Sequence, residues 1–130
     1  MTLSALIIDD SPFARKIIRH HLIKLGFRIA GEAESAAQGL RLFRELKPKL
    51  VTLDVMMSER EGVSSLDVFR TMRQEVPEVV IVVVSAIPFE KTRDTFVNDG
   101  ATAYVIKPFN QFSFEPVRLK LRRIFPSLTE

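Results

Sequence analysis

Leu6-Ile7-Ile8-Asp9-Asp10-Ser11-Pro12 is the stretch on which the fold turns. An unbroken apolar run ended by two acids reads as a short strand. Ser11 followed by Pro12 is a helix cap and then a residue suited to the first helical position. Ile17, Ile18, Leu22 and Leu25 recur at helical intervals until Gly26 closes the segment. A strand that passes through one turn into an amphipathic helix is the first half of a βαβ unit.

The same pattern repeats along the chain. Apolar runs at 50–53, 79–84 and 104–106 match the one at 6–8, and their near-continuous Ile, Val and Leu predicts strands covered on both faces. Residues 27–30 carry Arg28 between apolar neighbours and predict an edge strand of the same sheet. Helical spacing covers 12–25, 36–46, 63–75, a shorter 89–98, and 114–125. This alternation of five strands and five helices predicts parallel strands joined by right-handed crossovers. The expected architecture is a doubly wound α/β sheet with helices on both faces.

With 130 residues and 46% hydrophobic content, the chain can bury a core of its own, and 1–130 is expected to be one domain. There is no cysteine, so neither a disulfide nor a thiolate metal site is available, which fits a reducing cytoplasm. The first residues lack the basic start and long apolar stretch of a secretion signal, and no run is long enough to cross a bilayer. A soluble, cytoplasmic protein with no membrane contact is expected. The net charge is +3, and the basic residues concentrate at 15–24 and 118–123. Without aromatic interleaving or a helix-turn-helix pattern, these stretches predict solvated helix faces and no direct nucleic-acid contact. His20 and His21, being adjacent, point to different helix faces and read as surface or partly buried residues rather than ligands.

In a doubly wound sheet, ligands bind outside the carboxyl ends of the strands. The residues just after the apolar runs are Asp9 and Asp10, Asp54, Ser85 and Lys107. Three carboxylates brought together repel one another unless a cation neutralises them, and an all-oxygen donor set favours magnesium over zinc. Lys107 adds a compact positive charge and Ser85 a hydroxyl donor. Together they describe a site that stabilises charge on a phosphoryl group, with Asp54 as the nucleophile that forms an acyl phosphate. Taken singly, each acid has a plainer reading as a turn or cap residue; the conjunction at one sheet edge favours the chemical one.

At these residues the sequence resembles the CheY-like response-regulator receiver family, over nearly the whole chain. Leu6-Ile7-Ile8-Asp9-Asp10-Ser11 resembles the acidic pair that closes the first strand, and Val51-Thr52-Leu53-Asp54-Val55-Met56-Met57 the phosphoacceptor strand and loop. Val84-Ser85-Ala86 matches the hydroxyl position, and Ala103-Tyr104-Val105-Ile106-Lys107-Pro108-Phe109 is similar to the family's most recognisable signature. The resemblance implies a flavodoxin-like sheet with strand order 2-1-3-4-5. It further implies Mg2+ held by Asp10, Asp54 and the Met56 backbone carbonyl, with Asp9 holding metal-bound water. Asp54 would be the phosphoacceptor, Ser85 and Lys107 would contact the phosphoryl group, and the Lys107–Pro108 bond would be cis, aiming Lys107 inward.

The implied activity is that of a switch rather than of an enzyme with an external substrate. A histidine kinase or phosphotransfer protein would donate the phosphoryl group, approaching over the first helix near Phe13 and Ala14. Ser85 and Tyr104 would then move and reshape the surface of the fourth helix, fifth strand and fifth helix, which binds a downstream protein. Leu119 with Arg118, Lys120, Arg122 and Arg123 points to an acidic partner or a homodimer mate on that surface. Met56 and Ile87 offer no polar group to orient an attacking water, which predicts slow self-dephosphorylation. Ser58 where the family often has proline, Glu61 before Gly62, and a following helix about one turn longer than usual depart from the family pattern around the loop after Asp54.

A haloacid-dehalogenase-type phosphatase would also use a strand-end Asp nucleophile, but it expects a second Asp where this chain has Met56. A flavin or mononucleotide module would want a phosphate-cradling loop where Asp9-Asp10-Ser11-Pro12 stands. A constitutive interaction domain with a vestigial site, or a receiver cut from a larger transcriptional regulator, are the remaining alternatives. Only 125–130 follow the last helix, so no output domain is expected in this chain.

Overall fold

The computed structural model describes residues 3–55, 57, 62–86 and 90–128. Their elements alternate as β1 (Ser4–Ile8), α1 (Pro12–Leu25), β2 (Arg28–Ala33), α2 (Ala36–Leu46), β3 (Leu50–Asp54), α3 (Ser65–Glu75), β4 (Val80–Ser85), α4 (Glu90–Asn98), β5 (Ala103–Ile106) and α5 (Gln111–Ile124). The five strands form one sheet in the order β2-β1-β3-β4-β5, and every neighbouring pair is parallel. This is the expected doubly wound architecture, with the weakest strand, β2, at an edge.

Side-chain alternation along the strands divides the core into two layers. Ala5, Ile7, Leu50, Val82 and Val84 face α1 and α5, where Ile18, Leu22, Val117 and Leu121 meet them. Leu6, Ile8, Val51, Leu53, Ile81 and Val83 face α2, α3 and α4, against Phe43, Phe69, Met72 and Phe96. A strand buried on both sides has no polar face, which is why β1, β3 and β4 read as near-continuous apolar runs, β3 interrupted only by the buried Thr52. Gly39 lets α2 lie directly on β1, since a Cβ there would stand 2.5 Å from Ile8 Cδ1.

The bounds of α1 and α2 agree with the expected ones, and others differ for local reasons. β2 runs on to Ala33 because β1 pairs with it as far as Ile8; the register shifts between Ala5 and Leu6, so Ala30 is skipped and pairing resumes at Gly31. Phe27 is buried ahead of the strand rather than within it. The helix expected at 63–75 begins at Ser65, because the Ser64 hydroxyl accepts the Asp67 N–H and caps it. α5 begins at Gln111, ahead of the expected 114, behind a capping box made by Asn110 and Ser113. Among the described residues no helix is long and apolar enough to cross a membrane.

Candidate functional site

The carboxyl ends of β1, β3, β4 and β5 deliver the polar residues that follow them to one edge of the sheet. Asp9 continues the β1 ladder by donating its N–H to Ala33 O at 2.9 Å. Its side chain turns back to accept the Ser11 N–H on Oδ1 at 2.9 Å, which fixes the turn into α1. Asp54 is the last residue of β3, and Ser65 Oγ donates to its carbonyl at 3.0 Å, tying the strand end to α3. Asp9 and Asp54 are buried and Asp10 is exposed. A carboxylate oxygen from each of the three lies within 4.8 Å of the others.

Lys107, just past β5, lies over this cluster. Its ammonium is 3.0 Å from Asp9 Oδ2 and 3.3 Å from Asp54 Oδ2. The contact with Asp54 is a hydrogen bond, whereas that with Asp9 is an ion pair out of line for one. Burial pulls the Lys107 pKa down, but the two carboxylates outweigh it and hold the ammonium above its ordinary value. Three carboxylates against one ammonium leave two negative charges at the cluster. An all-oxygen set with excess negative charge and one member open to solvent fits a hard divalent cation, so Asp9, Asp10 and Asp54 can hold the magnesium expected from the sequence.

Ser85 ends β4 fully buried, and its carbonyl accepts the Lys107 N–H at 2.7 Å. Tyr104, on β5, packs against the α2–α3–α4 layer, and its buried hydroxyl makes no hydrogen bond among the described residues. The Lys107–Pro108 peptide bond is cis. Met56, whose carbonyl was expected as a ligand, lies outside the described residues, as do Ser58, Glu61 and Ile87. The structure therefore brings Asp9, Asp10, Asp54 and Lys107 together, sets Ser85 beside them on the backbone of Lys107, and keeps Tyr104 on the same strand as the lysine approach.

Two contributors were missed in the sequence. Ser65 supports Asp54 from the neighbouring helix, and Arg15 donates through Nη1 to the Asp9 carbonyl at 2.7 Å. Arg15 carried a legible signal: with Ile18, Leu22 and Leu25 it completes the sheet-facing stripe of α1, where a lone cation needs a buried acceptor.

The family model of the response regulator receiver domain matches residues 5–115. The chain is 34% identical to the chemotaxis protein CheY of Bacillus subtilis over 104 residues, covering 80% of this chain and 84% of that protein. It is 32% identical to CheY of Thermotoga maritima with the same coverage, 80% and 84%. The probable C4-dicarboxylate response regulator DctR of Halalkalibacterium halodurans is 32% identical over 117 residues, covering 89% of this chain and 48% of that longer protein. Among solved structures, the REC domain of AraT from Geobacillus stearothermophilus superposes with a TM-score of 0.84 at 19% identity, covering 97% of both chains. A chain of the CheX-CheY-BeF3-Mg complex from Borrelia burgdorferi gives 0.81 at 20% identity, covering 95% of this chain and 89% of its own. At such identities the structural likenesses speak for the fold.

Proposed function

The chain belongs to the response regulator receiver domain family, and from that premise we propose that it is switched by phosphorylation of Asp54 with the help of Mg2+. The observation that carries this reading is the convergence of three carboxylates from β1 and β3 with the Lys107 ammonium from beyond β5. A structural ion pair would need one acid for one lysine; the surplus acids are left for a cation and a reacting group.

Asp54 supplies the nucleophile. One of its carboxylate oxygens attacks the phosphorus of a phosphohistidine, the P–N bond breaks, and the imidazole nitrogen leaves with the bonding pair, giving an acyl phosphate. Lys107, already at Asp54 Oδ2, pairs with the charge on the transferred oxygens, and the Ser85 hydroxyl donates to one of them. Magnesium held by Asp9, Asp10 and Asp54, with the Met56 carbonyl by resemblance, would neutralise phosphoryl charge that one ammonium cannot. Burial of Asp54 restricts water at the new anhydride, in line with slow self-dephosphorylation.

The donor is a histidine kinase or phosphotransfer protein. Phe13, 72% exposed on α1, stands at a cleft of about 330 Å³ lined also by Ala14, Ile17, Pro108 and Phe109 and opening beside Lys107, an apolar seat for a donor helix. Output passes through α4, β5 and α5, where Val97, Ile106 and Leu119 are exposed together with the basic residues of α5, to a downstream protein or a second copy. Intact mass after incubation with acetyl phosphate and Mg2+ tests the chemistry. One added phosphoryl group, dependent on Mg2+ and absent from Asp54→Asn, is expected. No adduct, or one that survives the substitution, would leave a constitutive interaction domain.

A further inference from the structure

Arg15 occupies a stripe of α1 that is otherwise apolar, and its side chain is 18% exposed. Nη1 donates to the Asp9 carbonyl at 2.7 Å, and Nε lies 3.3 Å from Glu32 Oε1 on β2. Glu32 receives Arg19 Nη1 on its other oxygen, Oε2. The chain of contacts thus runs from Arg19 through Glu32 and Arg15 to the main chain of Asp9.

The Asp9 carbonyl belongs to the peptide plane that joins Asp9 to Asp10. The Asp9 N–H is held by Ala33 O and Asp9 Oδ1 by the Ser11 N–H, and the Arg15 contact adds a restraint on the plane itself. The two acidic side chains leave the Cα atoms at its two ends, so holding the plane narrows the angles they can take to one another. We infer that Arg15 is a positioning residue of the acidic site, acting through the Asp9–Asp10 peptide; this rests on the reading of that site as a magnesium site. Glu32 has two roles in the arrangement. It holds the guanidinium in place, and it cancels a positive charge that would otherwise oppose a cation bound nearby.

The two effects of Arg15 have opposite signs, which makes the inference testable. If the guanidinium acted only as a nearby charge, removing it would tighten Mg2+ binding; if it positions the acids, removing it weakens binding. Calorimetric titration of Mg2+ into wild type, Arg15→Met, Arg15→Lys and Glu32→Gln, without phosphodonor, reads this directly. Arg15→Met is expected to weaken Mg2+ about tenfold, as loss of an outer partner of a metal site does. The loss should persist or grow at high salt, because salt screens the opposing charge effect and not the orientation. Arg15→Lys keeps the charge but cannot bridge Asp9 and Glu32, so it should fall between. Glu32→Gln should weaken binding through an uncompensated charge, with an effect that shrinks in salt. Thermal melts in chelator show whether Arg15→Met folds; if it does not, Arg15→Lys and Glu32→Gln carry the test. Unchanged or tighter binding in folded Arg15 variants would overturn the inference and leave the metal site standing. A wild type that binds no Mg2+ would overturn both.

Discussion

His21 lies on the side of α1 that meets α5, and its ring lies 5.6 Å from that of Phe109 and 5.4 Å from that of Phe114, themselves 5.0 Å apart. The groups around it are His20 and Lys24 on α1 and Glu115 and Arg118 on α5, the last two joined in an ion pair. Burial first, then the neighbouring His20 and Lys24, lower its pKa below 6.5. A base with a depressed folded-state pKa is better protonated when unfolded, so stability is lost as pH falls below 6.5 towards the folded value. His21→Phe should therefore lose less stability than wild type between pH 7.5 and 5.5 in urea melts, and equal losses would place the acid sensitivity elsewhere. The sequence told that His20 and His21 face different ways, but not which face carried the rings, since Phe109 is distant in sequence. The acids and Lys107 were legible because each stands where a buried apolar run ends. Arg15 was passed over despite its place in the apolar stripe of α1, because an arginine in a helix reads as solvated until its acceptor on another element is known.

At the scale of elements, α1 and α2 were legible to their ends because each begins at a serine cap and is apolar on one stripe. For α5 the helical spacing showed the body but not the start: the helix begins at Gln111, ahead of the expected 114, and carries Pro116 inside it. Asn110 Oδ1 accepts the Phe112 and Ser113 N–H groups at 2.9 and 3.0 Å, while Ser113 Oγ accepts the Asn110 N–H and donates to Pro108 O, each at 2.9 Å. The box uses serine where glutamate or glutamine is the usual signal. Asn110→Ala should cost about 1 kcal/mol, a fall of roughly 3–6 °C in Tm, with Asn110→Asp close to wild type. A loss under a few tenths of a kcal/mol in Asn110→Ala would mean that Ser113 holds the turn unaided. β2 was underestimated for a different reason: its last residues are strand because β1 pairs with them, which no local propensity expresses.

For the whole molecule, alternation predicted a parallel sheet but permits several strand orders, and 2-1-3-4-5 came from the resemblance rather than from any periodicity. That order sets β3 between β1 and β4, and so sets Asp54 beside Asp9 while Lys107 arrives from the far edge strand. The lysine thereby stands in the role of counter-ion, and a divalent cation drawn to the same carboxylates must meet its charge. Lys107→Met should accordingly tighten Mg2+ binding by roughly tenfold at low salt, about 1.4 kcal/mol, well within what two like charges a few ångströms apart contribute. In chelator the same variant should be less stable, because the acids then face one another without an ammonium. The pH dependence distinguishes this from a packing loss. A lysine whose folded-state pKa is raised contributes fully below 10.5, and that contribution disappears as pH rises through the higher folded value. Wild type and Lys107→Met, compared by urea melts in chelator, should thus differ at neutral pH and converge above pH 10.5. A constant gap into strong alkali, or weaker Mg2+ binding by the variant, would mean that Lys107 supports the site by its shape and not by its charge.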